Sequence, residues 1–157
     1  MDLRPSQPPE SRALIELAEG TGVFKPLEIQ ALGEVLSDYH AHEREGGHRC
    51  TTAWLDGSPI GFVYWAPAEM TDRSWQLWWI AVRSDLQSRG FGAGLLAHCE
   101  AEVRAAGGRL LLIETSSLPG YQPTRRFYLR HGYGGPSRVP DFYADGDDLL
   151  VFRKRIG

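Results

Sequence analysis

Residues 87 to 94 read Gln87-Ser88-Arg89-Gly90-Phe91-Gly92-Ala93-Gly94, with three glycines at alternate positions. Without a Cβ at those positions, a ligand can approach the backbone closely. The segment lies between a strand-like run, Leu77 to Val82, and a helix-like run, Gly94 to Ala106. Amides at the start of a helix lack internal partners, and with the helix dipole they make a site for phosphate or pyrophosphate. The expected ligand is therefore a phosphorylated cofactor. A dinucleotide fingerprint needs Gly-x-Gly-x-x-Gly almost directly after the strand. Here the third glycine comes one position early, with Leu95 in its place, and Arg83 to Gly90 separate the strand from the first glycine. Glu114 could imitate the ribose-binding acid, but the spacing disfavours that reading. No Walker-type phosphate loop is present.

Ile80-Ala81-Val82, then Gln87-Ser88-Arg89-Gly90-Phe91-Gly92, then an amphipathic helix, resembles the acetyl-CoA motif of the GNAT superfamily of N-acetyltransferases. That signature is Gln or Arg, two free positions, Gly, one free position, then Gly or Ala. A second stretch, Arg126-Phe127-Tyr128-Leu129-Arg130-His131-Gly132-Tyr133, resembles the family's late helix and its ending. The resemblance runs from Thr51 to Phe152. It implies a mixed α/β fold: a central, mostly antiparallel twisted sheet with one splayed parallel strand pair and helices on both faces.

The resemblance further implies that the pantetheine arm of acetyl-CoA pairs with the backbone of Ile80, Ala81 and Val82. The pyrophosphate would meet the amides of the loop from Gln87 through Ser88, Arg89, Gly90, Phe91 and Gly92 to Ala93. Tyr128 corresponds to the tyrosine that protonates the departing thiolate, and the Val82 amide to the oxyanion donor. Tyr121 stands where many relatives carry an asparagine against the cofactor arm; Arg125 joins it in the cofactor set. The strand before the loop, Trp75-Gln76-Leu77-Trp78-Trp79-Ile80, holds no acid. Glu114, at the end of the next strand, is the candidate base. Asp141 and Tyr143, in an acidic segment that continues through Asp145, Asp147 and Asp148, are candidates for a cationic amine, with Trp79 as a further substrate contact; a solvated, aspartate-rich turn is the competing reading. The expected acceptor is a small-molecule or peptide amine, and a non-catalytic acyl-CoA sensor stays open as the alternative.

These residues need a scaffold. At 157 residues, with 42% hydrophobic and 24% charged residues, the chain suits one globular domain. A net charge of −3 gives no electrostatic reason to expect nucleic acid or an acidic membrane as partner. There is no signal-like or membrane-spanning apolar run, so a cytoplasmic location is expected. Cys50 and Cys99 form no C-x-x-C pair, and Cys99 reads as a small core residue. His40 and His42 point to different faces of a predicted helix, so no metal site is expected; His48 and His131 read as surface residues, and His98 as solvent-facing beside the loop.

Helices are predicted from Ser11 to Ala18, from Pro26 to about Ala41, from Gly94 to Ala106 and from Pro123 to Gly132. Thr51–Leu55 and Ile60–Trp65 flank Asp56-Gly57 and predict a hairpin. Trp75–Val82 is the next strand. Leu110 to Ile113, apolar throughout, reads as a strand covered on both faces. Asp141–Ala144 and Leu149–Arg153 predict a closing hairpin around Asp145-Gly146. Met1 to Glu10 is expected to be poorly ordered or a short first strand, and an exposed sheet edge could support a homodimer.

Overall fold

A computed structural model describes residues 1–157. It contains four α-helices, α1 (Ser11–Gly20), α2 (Pro26–Asp38), α3 (Phe91–Ala105) and α4 (Gln122–Arg130). Its strands are β1 (Asp2–Pro5), β2 (Arg49–Leu55), β3 (Ser58–Pro67), β4 (Ser74–Val82), β5 (Leu110–Ser116), β6 (Gly134–Ala144) and β7 (Asp147–Arg155). All seven join one sheet in the order β1-β2-β3-β4-β5-β7-β6. Every adjacent pair is antiparallel except β4 and β5.

Side chains alternate across a strand, and β3 uses both faces. Phe62 and Tyr64 join Leu14, Leu17, Leu32 and Leu36 in a core beneath α1 and α2. Val63 and Trp65 join Leu95, Leu96, Cys99, Val103, Leu111 and Ile113 in a second core on the α3 side. Full burial of each such side chain is worth about 1.5–3 kcal/mol relative to exposure. The helices therefore clamp the sheet from both sides.

The parallel pairing of β4 with β5 is short. It runs from Ser74 opposite Leu110 to Leu77 opposite Ile113, and stops. At the same point the β3–β4 ladder shifts: Trp65 faces Leu77 and Tyr64 faces Trp79, so Trp78 is the extra residue of a bulge. A bulge bends its strand and increases the local twist. The second half of β4 thus diverges from β5, and a gap opens between them.

Several boundaries depart from the sequence expectations. The third helix starts at Phe91, not Gly94, because Gly90 adopts a φ of 88° and turns the chain directly into the helix. Residues Tyr39–Glu43 extend α2 as one π-helical turn. The closing hairpin is longer than its turn signal suggested, because β6 begins at Gly134. The N-terminal segment is ordered by pairing, with Leu3 opposite Ala53. No helix is long and apolar enough to cross a membrane.

Candidate active site

The divergence of β4 and β5 opens a cavity of about 910 Å³. Its walls come from both strands, the glycine loop, the first turn of α3, α4, and the connection between α1 and α2. The β4 wall presents free backbone. The amide of Arg83 donates to the Ile60 carbonyl at 2.7 Å, and Gly61 lies opposite Val82, Phe62 opposite Ala81 and Val63 opposite Ile80. In an antiparallel ladder, bonded and non-bonded pairs alternate. Ala81 therefore bonds to β3, whereas Ile80 and Val82 turn their N–H and C=O groups toward the gap. The Val82 carbonyl accepts a hydrogen bond from Gln87 Nε2 at 3.1 Å, which ties the loop to the strand end.

Beyond Val82, Ser88 and Gly90 both take left-handed backbone, with φ of 62° and 88°. They deliver the chain to the start of α3, where the first intrahelical amide bond is Gly94 to the Gly90 carbonyl at 3.0 Å. The amides of Phe91, Gly92 and Ala93 precede it and are left over for a ligand. Gln87, Ser88, Gly90, Gly92 and Ala93 line the cavity. Arg89 and Phe91 do not; Arg89 is exposed and Phe91 packs on the α3-side core.

Tyr128 lies across the gap on α4. It is 3% exposed, packs against Phe127, Tyr133 and Phe152, and lines the same cavity. Its hydroxyl has no hydrogen-bond partner in the protein. Burial, with a smaller push from Cys99, raises its pKa well above the ordinary tyrosine value, so it keeps its proton. Phe127 also lines the cavity, 3.6 Å from where a Cβ on Gly92 would stand.

Glu114 is one residue beyond the last β4–β5 pair, exposed at the gap. Gln76 Nε2 donates to its Oε1 at 3.0 Å. Trp79 lines the cavity with its ring 5.3 Å from Phe24. Tyr143, on β6, reaches the cavity as well, stacked on Phe142 with ring centroids 5.1 Å apart.

Other named residues bond within the frame. Tyr121 lines the cavity, but its hydroxyl is spent on the Glu28 carboxylate. Arg125 donates to the carbonyls of Ser116 and Leu118 at 2.9 and 2.8 Å, clamping the turn between β5 and α4. The hairpin aspartates are largely satisfied internally. Asp141 accepts from the Gly146 amide, and Asp148 takes the Asp141 amide and Arg138. Asp147 is buried and bonded to Lys25 and Ser116.

Glu28 was not among the sequence candidates. It lines the cavity from the first turn of α2, where its Oε1 also accepts the Lys25 amide at 2.9 Å. A glutamate at the third position of a helix opened by Pro26 is a capping signal; nothing local in the sequence tells that it also faces the gap.

Three histidines differ from expectation. His48 is tucked between Glu43 and Tyr64, with Nδ1 2.6 Å from the Tyr64 hydroxyl. His98 meets Thr51 Oγ1 at 3.1 Å and the edge of Trp65. His131 packs on Phe127 with centroids 4.6 Å apart and lines the cavity. No group of three or more His, Cys, Asp or Glu side chains is arranged to hold a metal.

The pattern of the acetyltransferase (GNAT) family matches residues 13–133. A crystal structure from Desulfovibrio desulfuricans, assigned to the GNAT family of acetyltransferases, shares 33% identity over 99% of both chains, with a TM-score of 0.94. An aminoglycoside 6'-N-acetyltransferase complexed with coenzyme A covers 100% of this chain and 98% of its own, at 17% identity and a TM-score of 0.78. Ard1 from Thermoplasma volcanium covers 99% and 97%, at 16% identity and a TM-score of 0.79. These last two, at such low identity, share the fold alone. No curated protein matches the sequence. On the family pattern and the Desulfovibrio structure together, the chain belongs to the GNAT family of acetyltransferases.

Proposed function

We propose that this protein transfers an acetyl group from acetyl-CoA to a primary amine by direct attack in a ternary complex. One observation carries the reading. The unpartnered hydroxyl of Tyr128, the free backbone of Ile80, the Val82 amide, and Gly90, Gly92 and Ala93 of the glycine loop share one cavity at the divergence of β4 and β5. The fold is shared with an aminoglycoside acetyltransferase that binds coenzyme A, which supports the choice of donor.

In this reading the amides of Phe91, Gly92 and Ala93 hold the pyrophosphate, and the free edge of β4 pairs with the pantetheine arm. The acceptor nitrogen attacks the thioester carbonyl, so a C–N bond forms and the C–S bond breaks. The Val82 amide stabilises the charge that develops on the carbonyl oxygen. Tyr128 gives its proton to the departing sulfur. Glu114 takes a proton from the amine through water. The products are the N-acetylated amine and CoA thiol, and the proton that Glu114 took up returns through solvent to the Tyr128 phenolate. General acid help of this kind is typically worth ~10²–10⁴-fold.

No thiol is placed to carry the acyl group. Burial raises the pKa of both cysteines, Cys50 up to about 12, and neither lines the cavity. The test is transfer of label from acetyl-labelled acetyl-CoA into members of an amine panel, with the product identified by mass. Tight acetyl-CoA binding without transfer to any amine would favour a binding-only role instead.

A further inference from the structure

The cavity is electrically divided along its length. Its one cationic lining residue, Arg130, stands with the His131 ring at the end of α4 beside Phe127, which faces Gly92 of the glycine loop. Its carboxylates, Glu28 and Glu114, belong to α2 and β5. The one ammonium nearby is already committed. Lys25 Nζ is 2.5 Å from Asp147 and 4.7 Å from the Tyr143 ring centroid. Tyr143 lines the same cavity as both carboxylates, and burial first, then Glu114, Glu28 and Asp147, push its hydroxyl up to about 12.

Glu28 is held for a purpose that helix capping does not exhaust. The Tyr121 hydroxyl and the Lys25 amide both bond to Oε1, and Oε2 has no partner in the protein. Tyr121 is bonded to this carboxylate, and Phe24, Trp79 and Tyr143 are further aromatic walls of the same cavity. A fixed carboxylate oxygen against such a wall is costly to desolvate on ligand entry unless the ligand brings a cation to it. A monoamine, directed to Glu114 for proton transfer, leaves Glu28 unmatched.

We propose that Glu28 binds a second cationic group of the acceptor, and that the acceptor is a small aliphatic di- or polyamine acetylated at one nitrogen while another stays protonated at Glu28. This rests on the acetyl-transfer reading of the cavity. Flat, aromatic walls suit the methylene chain between the nitrogens, and the division of charge orients it with its reactive end toward the donor.

The experiment measures binding of α,ω-diamines of three to six carbons, and of n-alkylamines of the same lengths, to wild type and to Glu28→Gln by calorimetry, with CoA release from acetyl-CoA followed in parallel. The glutamine keeps an oxygen for Lys25 and Tyr121, so the helix start is retained. At least one diamine should bind ~10-fold or more tighter than its monoamine, as expected for one added charge-assisted hydrogen bond. In Glu28→Gln that preference should collapse toward unity. Equal binding of diamines and monoamines at every length, or a preference unchanged in Glu28→Gln, overturns the proposal. Diamine binding through Glu28 with no CoA released would instead defeat the transfer reading and leave the assignment of Glu28 standing.

Discussion

Gln76 Nε2 donates to Glu114 Oε1 at 3.0 Å, one residue beyond the place where backbone pairing between β4 and β5 ends. A side-chain bond thus succeeds the last ladder rung and fixes a carboxylate at the mouth of the gap. Glu114→Gln should keep an acceptor for Gln76 and remove the proposed base. We expect turnover with saturating amine near neutral pH to fall by ~10²-fold, with acetyl-CoA affinity little altered, as read from kcat and from calorimetry. A kcat within twofold of wild type would take Glu114 out of proton transfer.

The two loop glycines should respond differently to alanine. Gly90 needs a φ of 88°, which costs an L-residue about 1–2 kcal/mol. Gly92 has ordinary backbone, and a Cβ there would meet Phe127 at 3.6 Å, a normal contact. Gly90→Ala should therefore lower Tm by several degrees and weaken acetyl-CoA binding, whereas Gly92→Ala should be tolerated in the free protein. Equal Tm losses in the two would show that the loop conformation is not what Gly90 supplies.

Individual strands, the four helices and the glycine loop were legible because each rests on a local pattern: Asp56-Gly57 for a hairpin, Pro26 for a helix start, the run Leu110 to Ile113 for a strand covered on both faces; the arrangement of the sheet came from the family resemblance. The bulge at Trp78 was not, since it depends on the register between β3 and β4 and no local residue type marks it. For the same reason no local signal marks Glu28. Its role depends on Tyr121, 93 residues away. The acidic hairpin shows the converse: its aspartates look free in sequence, yet Asp141, Asp147 and Asp148 are bonded to the hairpin and its neighbours.

Asp147 should set part of the acid stability. Burial raises its pKa, but hydrogen bonds from Lys25 and Ser116 more than offset this and hold the carboxyl below its ordinary value. A depressed folded-state pKa stabilises fully above the unfolded value, about 3.9, and the contribution is lost as pH falls through the folded value. Asp147→Asn should cost about 1–3 kcal/mol near pH 7, with the gap to wild type narrowing below about pH 4. Urea titrations across that range check it; a constant gap contradicts the assignment.

The cysteines should be inert in the native state. Cys50 and Cys99 are both buried, at 2% and 0% exposure. Alkylation under native conditions should modify neither and leave turnover intact, and both should react once the protein is unfolded. Loss of activity on stoichiometric native alkylation would reopen an acyl-enzyme route.

The most direct test of the transfer mechanism is CoA release from acetyl-CoA by wild type and Tyr128→Phe, on the amine that wild type uses best. The phenylalanine keeps the packing against Phe127 and Phe152 and removes only the unpartnered hydroxyl. The account predicts kcat at least ~10-fold lower in the variant, unchanged acetyl-CoA affinity, and, in wild type, no alkaline loss of activity from this group until above about pH 10, because its pKa is raised. Equal kcat values in the two proteins would contradict it.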